Sequence, residues 1–198
     1  MKKRVMMFVD SNNFHKDCEN SLGSNSKPRF NWKDLLLGIR DLYKENEEDD
    51  IIFLKAYYYS ALSDREDNPT IYDKHKRFLD AINKIKFIDV KLGHLARVPI
   101  EEGKKIVRTD PSTYKHIEKS TDVNISNDIL ENCLRNNCDV ILLISADGDY
   151  KDTIERIKDY GKEFYLVLPI GTPADILKKL AGEKIIYLDK AFLQKYIR

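Results

Sequence analysis

The stretch Val140-Ile141-Leu142-Leu143-Ile144-Ser145-Ala146-Asp147-Gly148-Asp149 passes from an unbroken apolar run to two carboxylates. Such a run is the pattern of a strand covered on both faces. Val5 to Val9 repeats the pattern and meets Asp10, followed by Ser11, Asn12 and Asn13. A fold that ends buried strands in aspartates gathers negative charge at the mouth of a sheet. Carboxylates placed there repel one another unless a cation sits among them.

Outward from these two strands the chain alternates. Ile51 to Tyr59, Phe87 to Leu95, Phe164 to Leu168 and Ile185 to Leu188 are β-rich. Between them, apolar residues recur at helical spacing: Trp32, Leu35, Leu36, Ile39, Leu42, Tyr43; then Tyr72, His75, Phe78, Leu79, Ile82, Ile85; then Ile125, Ile129, Cys133 with Leu130 and Leu134; then Ile154, Ile157, Tyr160. Asp10 or Ser11 caps the first helix, Asn68-Pro69 opens another, Thr121 or Asp122 caps the helix after the basic stretch, and Thr172-Pro173-Ala174-Asp175 starts one with Pro at N1. Gly23 to Pro28 is a loop. The alternation predicts an α/β fold, with a mostly parallel central sheet and helices on both faces. Its ligand crevice lies outside the carboxyl ends of the strands, where Asp10 and Asp147 are placed. Residues 96–116 fit least well; 97–100 and 105–108 suggest a β-hairpin off the main sheet, followed by a mobile polar segment.

A length of 198 residues suits one domain, 1–198. Hydrophobic residues make up 42% and the net charge is +1, so no global field points to nucleic acid. The charge is uneven: Asp41 to Asp50 holds six acids and one lysine, whereas Lys91 to Lys119 holds seven Lys/Arg and four acids. These are either solvated surface stretches or a basic ledge beside an acidic site where a polyanion could lie. Cys18, Cys133 and Cys138 form no even framework, which implies a reducing compartment. Met1-Lys2-Lys3-Arg4 is basic, but the apolar run behind it is too short for a signal peptide, and no run approaches the ~20 apolar residues of a membrane span. A cytoplasmic protein is expected, with no membrane partner and with homodimerisation left open.

Asp147-Gly148-Asp149 offers two carboxylates around a glycine, with the Ser145 hydroxyl at the same rim. The tripeptide also suits a plain turn in which Asp149 is an N-cap. Asp122 and Asp128 are six positions apart, roughly 240° around a helix, so they do not share a face. Asp122, at the helix start, is the candidate ligand; Asp128 suits a partner such as a lysine or a water.

Phe8-Val9-Asp10-x-Asn12-Asn13, then Lys119-x-x-Asp122-Val123-x-Ile125-x-x-Asp128, then Leu143 to Tyr150 resembles the NYN domain, a group that includes LabA-like proteins and belongs to the PIN-like nuclease superfamily. Gly171-Thr172-Pro173-Ala174 and Ile186-Tyr187-Leu188-Asp189 also fit, so the resemblance spans Val5 to about Asp189. It implies Asp10, Asp122, Asp147 and Asp149 as catalytic and metal-binding residues, and Asn13, Ser145, Lys119 and Asp128 as substrate contacts or supports. Ala146 stands where the family commonly has glycine, and the insert around 96–116 matches no motif.

The expected activity is metal-assisted hydrolysis of RNA, single-stranded or structured, with Mg²⁺ or Mn²⁺ on hard oxygen ligands. Lys115, Lys119 and Arg108 could steer the backbone, His15 could touch a phosphate, and Tyr57, Tyr58, Tyr59 and Tyr150 are candidates to stack bases. Two alternatives remain. One is a non-catalytic RNA-binding or scaffold module on the same fold. The other is a metal-dependent phosphatase, although an aspartyl-phosphate mechanism wants an acid where Asn12 stands.

Overall fold

The computed structural model describes residues 2–23, 27–47, 50–62, 64–108 and 110–198. Met1, residues 24–26 of the expected loop, residues 48–49 of the acidic turn and Thr109 of the insert lie outside them.

Seven strands form one sheet: β1 (Lys3–Asp10), β2 (Ile51–Leu62), β3 (Ile88–Pro99), β4 (Tyr114–Lys119), β5 (Val140–Ile144), β6 (Glu163–Pro169) and β7 (Ile185–Leu188). The order is β4-β3-β2-β1-β5-β6-β7, parallel throughout except for β4, which runs antiparallel to β3. From β1 the sheet grows toward β2 on one side and β5 on the other. That is the topological switch point, where open α/β sheets leave a crevice at the strands' carboxyl ends.

The continuous apolar runs have the reason the sequence suggests. Val5, Met7 and Val9 of β1 join one core and Met6 and Phe8 the other, so both faces of the strand are covered. The first face carries α1 (Ser11–Leu22), α2 (Trp32–Glu47), α3 (Pro69–Asn83) and α7 (Lys190–Lys195). The second carries α4 (Thr121–Leu134), α5 (Lys151–Asp159) and α6 (Asp175–Ala181). Every residue of β5 is fully buried. No helix among the described residues is long and apolar enough to cross a membrane.

Several details differ from expectation. The hairpin pairs 94–99 with 114–119, not 97–100 with 105–108, and it extends the main sheet as β4 rather than leaving it. The segment expected to be mobile is therefore this edge strand. Helix α4 begins at Thr121, preceded by Ser120 at φ 70° with no side-chain cap, and α6 begins at Asp175, preceded by Ala174. Phe78, Leu134 and Tyr160, placed on inward stripes, are exposed at 40%, 65% and 36%. Leu134 and Tyr160 lie at the ends of their helices, where the apolar stripe outruns the core beneath it, whereas Phe78 turns outward beside the buried Leu79.

Candidate functional site

Asp10 is the last residue of β1 and the cap of α1; its Oδ1 accepts from the Asn13 N–H at 3.2 Å. The neighbouring strand β5 ends one residue before Ser145, whose buried hydroxyl donates to Asp10 Oδ2 at 3.1 Å and accepts from the Asp147 N–H at 3.2 Å. Asn13 Oδ1 accepts from the Ala146 N–H. Asn13 and Ser145 thus brace the loops after β1 and β5 against each other, a role the sequence reading assigned to neither. Asp147 Oδ1 accepts from the Asp149 N–H at 3.0 Å and opens the tight turn Gly148–Tyr150. Asp147, not Asp149, is the cap, and Asp149 stands exposed at the rim.

Tyr150, fully buried, carries the centre of the arrangement. Its hydroxyl lies 3.0 Å from Asp122 Oδ1 and 3.3 Å from Asp10 Oδ2. One phenolic oxygen therefore bridges acids that are more than a hundred residues apart in the chain. Burial beside those two acids drives the Tyr150 pKa far up, so the group stays a neutral donor. Asp122 reaches this point because β4 ends at Lys119 and turns through Ser120 straight into α4.

Glu118 was not singled out by sequence. Its carboxylate accepts from Asn12 of α1 and from Thr121 of α4, and its charge acts on both Asp10 and Asp122. The signal was available: strand alternation sets 116 and 118 on the face opposite Lys115 and Lys119. Asp128 stands apart from this group. It accepts from the Tyr59 hydroxyl at 2.7 Å and pairs with Lys91 at 3.5 Å, as its different helix face requires. Lys119 is exposed at the same rim, and neither it nor Lys115 has an ion-pair partner among the described residues.

Three further ledge cations are engaged. Arg97 is bound to Asp67 and Asp64, Lys104 to Glu101, and Arg108 lies 3.7 Å from Glu66. Tyr58, Tyr59 and Tyr150 are buried and cannot stack bases; Tyr57 is only half-buried, with the Lys55 and Lys91 ammonium groups over its ring. His15 packs against Phe30 and Trp32, and burial lowers its pKa to about 4, so it offers no charge to a phosphate.

Burial pushes the Asp10 carboxyl up to about 6, with the Asp122 and Glu118 charges adding to the shift and the bonds from Asn13 and Ser145 opposing it. Asp122 is also raised, first by desolvation and then by Asp147, Glu118 and Asp149, while Tyr150 acts the other way. Negative charge here is thus costly, and the donors are hard carboxylate oxygens of the kind Mg²⁺ and Mn²⁺ prefer. In chemistry the residues fit such an ion. Among the described residues, however, no three Asp, Glu, His or Cys side chains stand grouped as a ready-made cage, and the Tyr150 hydroxyl holds the place between Asp10 and Asp122.

The NYN domain matches residues 4–189, nearly the whole chain. No curated protein matches. Among solved structures, a protein of unknown function from Vibrio parahaemolyticus RIMD 2210633 superposes with a TM-score of 0.61 over 97% of this chain and 96% of that one, at 20% identity. At that identity the likeness speaks for the fold, an α/β sheet of the same family.

Proposed function

The chain belongs to the NYN domain family, a PIN-like nuclease-type group, and from this we propose that it is a metal-dependent ribonuclease acting at the β1/β5 switch point. The observation that supports this most is the convergence of Asp10 and Asp122 on one hydroxyl, with Glu118 close enough to perturb both and Asp147 and Asp149 close enough to perturb Asp122. Asp10, Asp122, Asp147 and Asp149 would hold Mg²⁺ or Mn²⁺, which when bound lowers the pKa of a water and offsets phosphate charge. The chain's own contribution is placement. Ser145 and Asn13 fix the two strand ends, Tyr150 spaces the acids, and Glu118 ties α1 to α4. Asp128, held by Tyr59 and Lys91, keeps α4 against β2 and β3 and supports the site from behind. Lys115 and Lys119 on the edge strand attract the RNA backbone.

One observation favours a non-catalytic RNA-binding module instead: both Asp10 oxygens already accept from protein donors. Incubating a labelled single-stranded RNA with Mn²⁺ and either the wild type or Asp10→Asn decides between them. Mn²⁺-dependent cleavage that Asp10→Asn abolishes is expected. Equal products from both proteins would discard the mechanism, and RNA binding without cleavage would leave the binding module.

A further inference from the structure

A second polar concavity lies on the same carboxyl edge of the sheet, between the second half of α1 and the loop joining β6 to α6. It encloses about 230 Å³ and is walled by Asp17, Asn20 and Ser21 on one side and by residues 170–173, with the apolar Ile170 and Pro173 among them, on the other. Asp17 is 8% exposed and Thr172 4%. Among the described residues, neither the Asp17 Oδ2 nor the Thr172 Oγ1 has a hydrogen-bond partner. A carboxylate taken out of water without a donor is costly, and sequences keep such a group where a ligand supplies the donor. Burial raises the Asp17 carboxyl to about 6, in keeping with that desolvation.

The walls are held ready. The Ser21 hydroxyl donates to the Ile170 carbonyl oxygen at 3.0 Å, pinning the loop to α1, and Gly171 turns at φ 88°. Asp17 is seven residues from Asp10 along α1, about 10 Å by helical rise. At ~230 Å³ the space falls below the ~300–1,000 Å³ of sites that enclose a whole small molecule, so it suits a fragment. The chemistry narrows the fragment. A metal ion calls for more than one acid, and here a single carboxylate stands among hydroxyl and amide groups with Ile170 and Pro173 beside them. That set suits a sugar hydroxyl, as where a lone acid in an α/β fold reads a ribose. Lys16 is exposed beside the pocket, and the Lys178 ammonium lies 2.6 Å from the Thr172 carbonyl oxygen, so cations for the adjoining phosphates are at hand.

Resting on the ribonuclease reading, we infer that this pocket receives a ribose of an RNA strand lying along the sheet edge. Asp17 accepts the 2′-hydroxyl proton and Thr172 bonds to the same sugar, which makes the pair the selector of RNA over DNA.

The test is fluorescence anisotropy in EDTA, where cleavage plays no part. It uses one labelled oligonucleotide as RNA, as DNA and as the 2′-fluoro form, which keeps the RNA pucker but lacks the donor. Wild type should prefer RNA over the 2′-fluoro strand by about tenfold. Asp17→Leu should bring that ratio to near unity without weakening the 2′-fluoro complex, and Thr172→Val should lower it in part. Asp17→Leu removes an unpartnered charge, so its melting temperature should not fall. Equal binding of RNA and 2′-fluoro RNA by wild type, an undiminished preference in Asp17→Leu, or no binding of any strand overturns the proposal. An Asp17-dependent rise in melting temperature with an alkylammonium salt, without ribose preference, reassigns the pocket to a cation and also overturns it. Mn²⁺-dependent cleavage by the wild type is scored separately: ribose preference without cleavage would remove the nuclease reading and leave the pocket standing, whereas cleavage without ribose preference would remove the pocket alone.

Discussion

Asp10 is 5% exposed, and its carboxyl is raised to about 6 from an ordinary value near 3.8. The sign follows from linkage. The folded protein holds this proton more tightly than the unfolded chain, so the carboxyl lowers stability as the pH rises from 4 through 6. His15, lowered to about 4, acts oppositely over the same range, while Asp17, also raised to about 6, and the raised Asp122 act in the same sense as Asp10, so the slope of the wild type alone is a sum over several groups. A comparison isolates Asp10. Between pH 4 and pH 7.5 in metal-free buffer, the stability of Asp10→Asn relative to wild type should improve by about 2 kcal/mol, read by urea unfolding at each pH. A difference independent of pH would show that the carboxyl is not desolvated. Tyr150 makes a second residue-scale claim. Tyr150→Phe removes the donor shared by Asp10 and Asp122 and should cost about 1–3 kcal/mol without metal. It should also enlarge the rise in melting temperature on adding Mn²⁺, because the ion no longer competes with the hydroxyl. An unchanged Mn²⁺ response would place the ion elsewhere.

At the scale of elements, the strand ends carrying Asp10 and Asp147 were legible because each follows a run buried on both faces, which leaves the first polar residue at the rim. The edge strand β4 was not. Its Tyr-Lys-His-Ile-Glu-Lys has one solvated face and the charge of a loop, and 105–108 looked the better partner for 97–100 on β-propensity alone. Missing β4 hid Glu118 and the short turn that delivers Asp122. Likewise, Thr172 has the chemistry of a cap, but the helix starts three residues later. Gly93 explains how the turn after β4 fits. A Cβ there would overlap the Thr121 hydroxyl and stand 3.0 Å from the Lys119 carbonyl oxygen, so β3 lets the start of α4 approach only because it lacks a side chain. Gly93→Ala should therefore destabilise by about 1–3 kcal/mol and shift Asp122 outward. A melting temperature within a degree of wild type would show that the turn is free to move.

Across the whole molecule, composition and net charge were silent about the ligand, because acids and bases nearly cancel over the chain although each is clustered along it. The alternation gave the α/β class and the carboxyl-edge site, but not the strand order. Which strands flank β1 depends on long-range pairing, and no local pattern encodes it. The same separation predicts a modest salt dependence. Lys115 and Lys119 on the edge strand have no ion-pair partner among the described residues, so replacing both by alanine should reduce the slope of log K against log salt for single-stranded RNA by about 1.4. An unaltered slope would mean that RNA approaches from another side.

The most direct measurement is an anomalous difference map from crystals soaked in Mn²⁺. The account predicts a peak at about 2.0–2.2 Å from carboxylate oxygens of both Asp10 and Asp122, with Tyr150 displaced from between them. A map with no peak at the carboxyl ends of β1 and β5, or with Mn²⁺ bound only at other acids, would contradict it.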